Sequence, residues 1–172
     1  MTVRRFKYLV VADDSAEFPV ALAYAAQRVR VTGAALTILR IVDTIVDQAH
    51  WVSVGEDMRA EALEAAEAMA ERLAAETWAE TGVQPEIVIR EGERKAELRR
   101  YIDEDQEVRI VVLATGAGRE GPGPLVSSVA KGQGLGGRAV PVLIVPGSLG
   151  KEEARSLATP DPGDQEDVVT GK

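Results

Sequence analysis

Residues 108–124 read VRIVVLATGAGREGPGP. A mostly apolar run, Val108 to Leu113, passes directly into a loop of glycines and prolines. Gly116, Gly118 and Gly121 spell G-x-G-x-x-G behind a predicted strand, the arrangement by which an α/β sheet offers backbone amides to a phosphate. The surroundings do not fit the dinucleotide version of that motif. The dinucleotide fingerprint follows the first strand of its unit and is answered about twenty residues later by an acid for the ribose. Here the strand is the fourth of the chain, and the next acid after Glu120 is Glu152. Pro122 and Pro124 stand where amide donors are wanted, and proline has none. Nicotinamide and flavin dehydrogenase chemistry is rejected on these grounds. No G-x-x-x-x-G-K-[ST] occurs, which argues against a P-loop NTPase.

The pattern on either side makes this strand one of five. Tyr8–Ala12 is a short buried strand stopped by Asp13-Asp14-Ser15. Asp14 with Glu17 reads as a capping box, Pro19 fits a first helical turn, and Leu22, Ala25, Ala26 and Val29 recur at helical spacing up to Gly33. Ala35–Val42 is the second strand. Ser53 with Glu56 opens a long helix whose apolar face is Met58, Ala62, Ala65, Met69 and Leu73, ending at Gly82. Glu61, Glu64, Glu67 and Glu71 dress its other sides as an ordinary solvated surface. Glu86–Arg90 is a third strand, Glu91-Gly92 a turn, and Ala96–Ile102 a helix. Val140–Val145 is the fifth strand, with Pro141 marking a strand start or an edge. Strands without polar alternation, separated by helices, predict a doubly wound α/β fold: a five-stranded parallel sheet with helices on both faces. Ligands of such sheets bind beyond the carboxyl ends of the strands, where the winding reverses.

The bulk composition narrows the partners. A chain of 172 residues suits one domain with a real core, assigned here to residues 1–147. From Ser148 to Lys172 the pattern stops, with Pro160, Pro162 and Gly163 among an excess of acids, and a disordered acidic tail is expected. A net charge of −8 argues against nucleic-acid binding, which needs clustered cations. Arg4, Arg5 and Lys7 flank a strand end. No run is long enough for a membrane span, and the first apolar run stops at Asp13-Asp14, so neither an anchor nor a signal peptide is expected. The lack of cysteine excludes disulfides and thiolate chemistry and fits a cytoplasmic location.

Several of these stretches together resemble the universal stress protein family. YLVVADDSAEF resembles its first strand and turn, LTILRIVD its second strand, and REGERKAEL its third-strand exit. IVVLATGAG, LVSSVA and AVPVLIVPG resemble its fourth strand, nucleotide loop, last helix and last strand. The likeness spans roughly residues 5 to 146. It implies an adenine nucleotide, ATP or AMP, with Mg²⁺ beside a triphosphate, and a homodimer paired through the last strand, Val140 to Val145. The family's nucleotide loop has the form G-x₂-G-x₉-G-[ST]. That spacing falls on Ala114, Ala117, Ser127 and Ser128, so only Ser128 matches; a shifted register puts Gly118 on the second glycine, and both registers stay open. A left-handed non-glycine costs about 1–2 kcal/mol, within reach of one charge-assisted hydrogen bond at about 1.5–3 kcal/mol, whereas a Cβ in the place of a phosphate oxygen is a steric cost. Gly116, Gly118, Gly121 and Gly123 keep the loop supple. After it, Gly132, Gly134, Gly136 and Gly137 would cost about 3–4 kcal/mol in a helix, so the helix is expected to run only from Val126 to Lys131.

The candidate nucleotide site implied by the resemblance is Ala12, Asp13 and Ile41 for the adenosine and Leu113, Ala114, Thr115, Gly116, Ala117, Gly118, Ser127, Ser128 and Val129 for the phosphates. Asp13 is read equally as a cap of the first helix, and the Ile41 side chain as core. His50 lies near Asp43, Asp47 and Trp51. One imidazole and two carboxylates in a loop do not make a zinc spacing, so surface or dimer contact is preferred. Trp78 is expected to pack. Ser15, Ser127 and Ser128 lack a nucleophile-elbow setting, and no catalytic constellation is identified. The functional readings are a nucleotide-binding stress protein, a relative without nucleotide that acts through homodimerisation and protein partners, and, less supported, a slow ATPase.

Overall fold

Five runs of aliphatic sequence form five parallel strands in the computed structural model, which describes residues 6–43, 55–116, 118 and 121–160. The strands are β1 (Lys7–Ala12), β2 (Ala35–Val42), β3 (Glu86–Glu91), β4 (Val108–Thr115) and β5 (Val142–Pro146). The helices are α1 (Phe18–Thr32), α2 (Gly55–Thr81), α3 (Arg94–Glu104), α4 (Pro124–Ala130) and α5 (Lys151–Ala158). The strand order is β3-β2-β1-β4-β5, the doubly wound α/β arrangement expected from the sequence. Because successive side chains of a strand point to opposite faces, each central strand feeds two cores. Tyr8, Val10, Leu36, Ile38 and Val112 meet Phe18, Ala21, Leu22, Ala25 and Ala154 on one side. Leu9, Val11, Leu39, Ile41 and Val111 meet Leu98, Tyr101, Ile102 and Leu125 on the other.

Most boundaries lie within two residues of the sequence reading, and the departures have physical causes. β4 continues to Thr115 because Ala114 and Thr115 pair with Val145 and Pro146. β5 starts at Val142 rather than Val140; the Pro141 carbonyl still accepts from the Val111 N–H at 3.0 Å. The Asp14–Glu17 box does not form. Asp14 pairs instead with Arg40 at 2.9 Å, and the Ser15 hydroxyl accepts the Phe18 N–H at 3.2 Å. On α2 the buried seam is Ala66, Ala70, Leu73, Ala74 and Thr77, so the apolar face is narrower than the sequence suggested: Met58 is exposed. Trp78, expected to pack, is 56% exposed on that helix. Ser53 and the His50 loop lie outside the described residues. After α4 the chain is irregular up to β5, as its glycines predicted. Gly136 and Gly137 lie so close to α3 that a Cβ on either would come within 2.6 Å of Ile102 or Asp103.

The expected disorder from Ser148 is corrected for residues 151–158. Lys151–Ala158 is α5, packed on α1. Proline, glycine and acid content hid a short seam: Ala154 and Ala158, four residues apart, are both fully buried. Arg28 donates to the Ala158 carbonyl at 3.2 Å and Gln27 to Thr159 at 2.8 Å. Arg155 and Lys151 both pair with Glu80 of α2. Residues 161–172 lie outside the described part. Ala154→Leu is expected to overpack the α1–α5 contact and cost about 1–3 kcal/mol in urea unfolding. Leu157→Ala, at a position 63% exposed, should stay within about 0.5 kcal/mol of the parent.

At the amino end of the sheet, Lys7 is clasped by Asp105 at 2.8 Å and Glu86 at 2.9 Å. Burial alone would raise the Asp105 carboxyl pKa. Hydrogen bonds from Lys7, the Glu107 amide and Tyr101, with the Lys7 charge, hold it below the usual carboxylate range. A carboxyl with a depressed folded pKa adds stability above its unfolded value of about 4, and that stability is lost as pH falls through the folded value. Asp105→Asn should therefore lower stability at pH 7 and flatten its fall between about pH 5 and pH 2, as read from denaturant midpoints against pH.

Candidate functional site

The pairing of β1 with β4 puts the reversal of winding at the centre of the sheet. From β1 the chain turns towards β2, and from β4 towards β5, so their carboxyl ends diverge and leave a crevice. On the β2 side lies a cavity of ≈ 900 Å³, near the top of the range for small-molecule sites. Asp13 and Ser15 wall it from β1, Arg40, Ile41 and Asp43 from β2, and Ala62, Ala65 and Met69 from α2. On the β4 side lies a narrow groove of ≈ 40 Å³ between Val11, Leu113 and Ala114 and the stretch Pro122–Val126. Asp13, Phe18 and Arg94 line both spaces.

The sequence-predicted residues divide accordingly. Asp13 stands at the junction; its Oδ1 accepts from the Ser15 amide at 3.0 Å and hydroxyl at 2.6 Å. Asp13 thus orders the turn into α1, and Ser15, not Asp13, accepts from the helix. Ile41 lines the large cavity, although its side chain belongs to the core. Ala12 is buried behind them, with its carbonyl accepting from Arg40. Leu113 and Ala114 line the groove. Thr115 is half-buried, and its carbonyl accepts the Gly147 N–H at 3.0 Å. Gly118 is exposed on the loop, and Ala117 lies outside the described residues.

Ser128 is brought elsewhere. It is buried, and its hydroxyl donates to the Pro124 carbonyl one turn back at 2.9 Å. It lines a separate pocket with Lys95 and Arg99 of α3. Ser127 and Val129 line neither the cavity nor the groove. Few amides are offered at the start of α4. Pro124 has no N–H, and the Ser127 N–H is bonded to the Gly123 carbonyl at 2.9 Å, which leaves Leu125 and Val126 in the first turn. Among the described residues of the loop, Gly121 at φ 83° and Gly123 at φ 91° are left-handed, where a side chain is strained, and neither is a glycine position of either family register. Gly116 serves close approach: a Cβ there would lie 2.5 Å from the Gly121 carbonyl oxygen.

The sequence reading passed over the cations. Arg40 is the one charged residue of β2, a visible signal. Its guanidinium bonds the Ala12 carbonyl at 3.5 Å and Asp14 at 2.9 Å. Arg94 opens α3 just after Gly92, in a run of three arginines and a lysine within seven residues. Among the described residues no group of three or more His, Cys, Asp and Glu stands close enough to hold a metal ion, and no helix is long and apolar enough to cross a membrane.

Comparison with known proteins accords with this geometry. The model of the universal stress protein family matches residues 5–146. No curated protein matches. Among solved structures, universal stress protein UspA from Lactobacillus plantarum superposes with a TM-score of 0.63 at 24% identity, covering 84% of this chain and 99% of that one. A universal stress family protein from Burkholderia pseudomallei gives 0.62 at 17% identity, covering 85% and 99%. A universal stress protein described in complex with cAMP gives 0.58 at 19% identity, covering 84% and 98%. At these identities the likeness shows a shared fold. With a family model matched over most of its length, the chain belongs to the universal stress protein family.

Proposed function

We propose that this universal stress protein binds an adenine nucleotide across the β1–β4 crevice. The observation that carries the reading is the cavity of ≈ 900 Å³ running on to the groove at the β4 exit, with Asp13 shared between them. The larger space suits a nucleoside: Ala62, Ala65 and Met69 offer an apolar wall for a base, and Asp13 an acceptor for a ribose hydroxyl. The groove, with Ala114 on one side and the Leu125 and Val126 amides on the other, suits phosphate. The cAMP complex of a relative with the same fold supports this choice of ligand. ATP and AMP are both candidates, with Mg²⁺ accompanying the triphosphate.

A homodimer through β5 is part of the proposal. β5 is an edge strand, and Ile144 on it is 39% exposed, a combination that invites pairing with another strand. The lack of cysteine supports a cytoplasmic setting. A second reading, action through protein partners without nucleotide, is favoured by Ala114 and Ser127 standing where the family's loop has glycine.

Equilibrium dialysis with radiolabelled AMP and ATP, beside mass spectrometry of small molecules released from the purified protein, separates the two. Ala65→Trp fills the cavity from an exposed helix position and is expected to weaken nucleotide binding at least tenfold while leaving the thermal midpoint nearly unchanged. Absence of binding by the parent protein at millimolar nucleotide, with none co-purified, would decide for the partner reading.

A further inference from the structure

Among the described residues the half-buried cations are spoken for, with one exception. Lys7 is held by Asp105 and Glu86, Arg40 by Asp14, Arg90 by Glu104 and Arg155 by Glu80. Arg28 and Arg138 donate to backbone carbonyls. Arg94 is half-buried too, yet its guanidinium makes no hydrogen bond or ion pair among the described residues. It lines both the large cavity and the β4 groove. A charge drawn partly out of water without a counter-charge is costly to the fold, unless a ligand supplies the partner.

The position is held by the turn before it. The Gly92 N–H donates to the Val42 carbonyl at 3.0 Å, tying the β3 exit to the end of β2. Glu93 then caps α3, its carboxylate accepting from the Lys95 amide at 3.0 Å and the Ala96 amide at 2.7 Å. The first amides of α3 are therefore occupied by an acid of the chain itself. What α3 offers the crevice is the Arg94 side chain, not its helix terminus. A guanidinium presents a planar set of donors that matches phosphate oxygens in pairs.

We propose that Arg94 is the phosphate-binding cation of this site, and that it selects a nucleoside carrying one phosphate over a triphosphate. This rests on the nucleotide reading above and adds to it the residue and the phosphate count. The groove beside Arg94 is small, and the described residues at the start of α4 offer it the amides of Leu125 and Val126. Four carboxylates, Asp13, Asp14, Asp43 and Glu76, line the large cavity against three guanidinium groups. Arg40 is paired with Asp14, and Arg72 is exposed with Glu76 3.8 Å away. Among the described residues, one phosphate finds one unpaired cation. A triphosphate brings further negative charge into a lining whose described residues hold no second one to spare.

Isothermal titration of the full chain with adenosine, AMP and Mg²⁺-ATP tests the assignment, on the parent, Arg94→Gln and Arg94→Lys. The parent should bind AMP about 10–100-fold more tightly than adenosine, the range of one or two charge-assisted hydrogen bonds, and more tightly than Mg²⁺-ATP. Arg94→Gln should bring AMP down to the level of adenosine while leaving adenosine affinity unchanged and the thermal midpoint of the empty protein at or above the parent's, and Arg94→Lys should retain part of the preference. If no ligand binds the parent, the nucleotide reading falls and this inference with it. If adenosine and AMP bind but Arg94→Gln spares AMP, or weakens both equally, the role of Arg94 is overturned and the nucleotide reading stands. Tighter binding of Mg²⁺-ATP than of AMP would overturn the selection for one phosphate.

Discussion

The parallel pairing of β1 with β4 is the constraint on which the rest of the molecule depends. Leu9, Val10, Val111 and Val112 are fully buried at this seam, so neither strand can slip by a residue without turning its side chains into the opposite core. The same pairing forces the chain to leave the two strands in opposite directions. A crevice at their carboxyl ends is thus a consequence of topology rather than of any particular loop sequence. Asp13, Ala114 and Arg94 reach it from three elements because those elements all end there.

The loop after β4 shows how spacing and chemistry come apart. A motif with glycines at fixed intervals describes one way of bringing amides to a phosphate. In this chain the intervals survive at Ala114, Ala117, Ser127 and Ser128 without the glycines. The glycines that the backbone requires stand instead at 121 and 123, where φ is positive, and at 116, where two stretches of main chain nearly touch. Ser128, the one residue matching the family pattern, spends its hydroxyl on its own helix. The described residues of the loop offer few donors, and the charge of Arg94 beside it gains importance.

What was legible in the sequence follows from the range of the interactions. The strands announce themselves because burial on both faces demands unbroken aliphatic runs, and the fold class followed from their alternation with helices. The crevice was placed correctly because it derives from strand order. Features settled by distant partners were not legible. Asp14 gave up its local capping role for Arg40, 26 residues away. α5 carries only two small apolar residues on its buried face, and its helix is stabilised by α1 and by Glu80, which no local pattern announces. Trp78 reads as core from composition, yet its position on α2 turns it outward. Arg94 looks like one more charge in REGERKAEL until the turn at Gly92 carries it to the crevice.

The two ends of the sheet handle charge in opposite ways, and the contrast bears on function. At the amino end Lys7 is surrounded by Asp105, Glu86 and Glu107, and the cluster is complete within the chain. Such a set holds its cation within the chain and leaves no positive charge there for an anion. At the carboxyl end Arg40 is neutralised by Asp14, but Arg94 lines an open space with no counter-charge among the described residues. Because a half-buried cation without a counter-charge lowers the stability of the empty protein, binding of an anion there removes a penalty as well as forming a contact. An anion bound there would therefore gain more at Arg94 than at an arginine already paired.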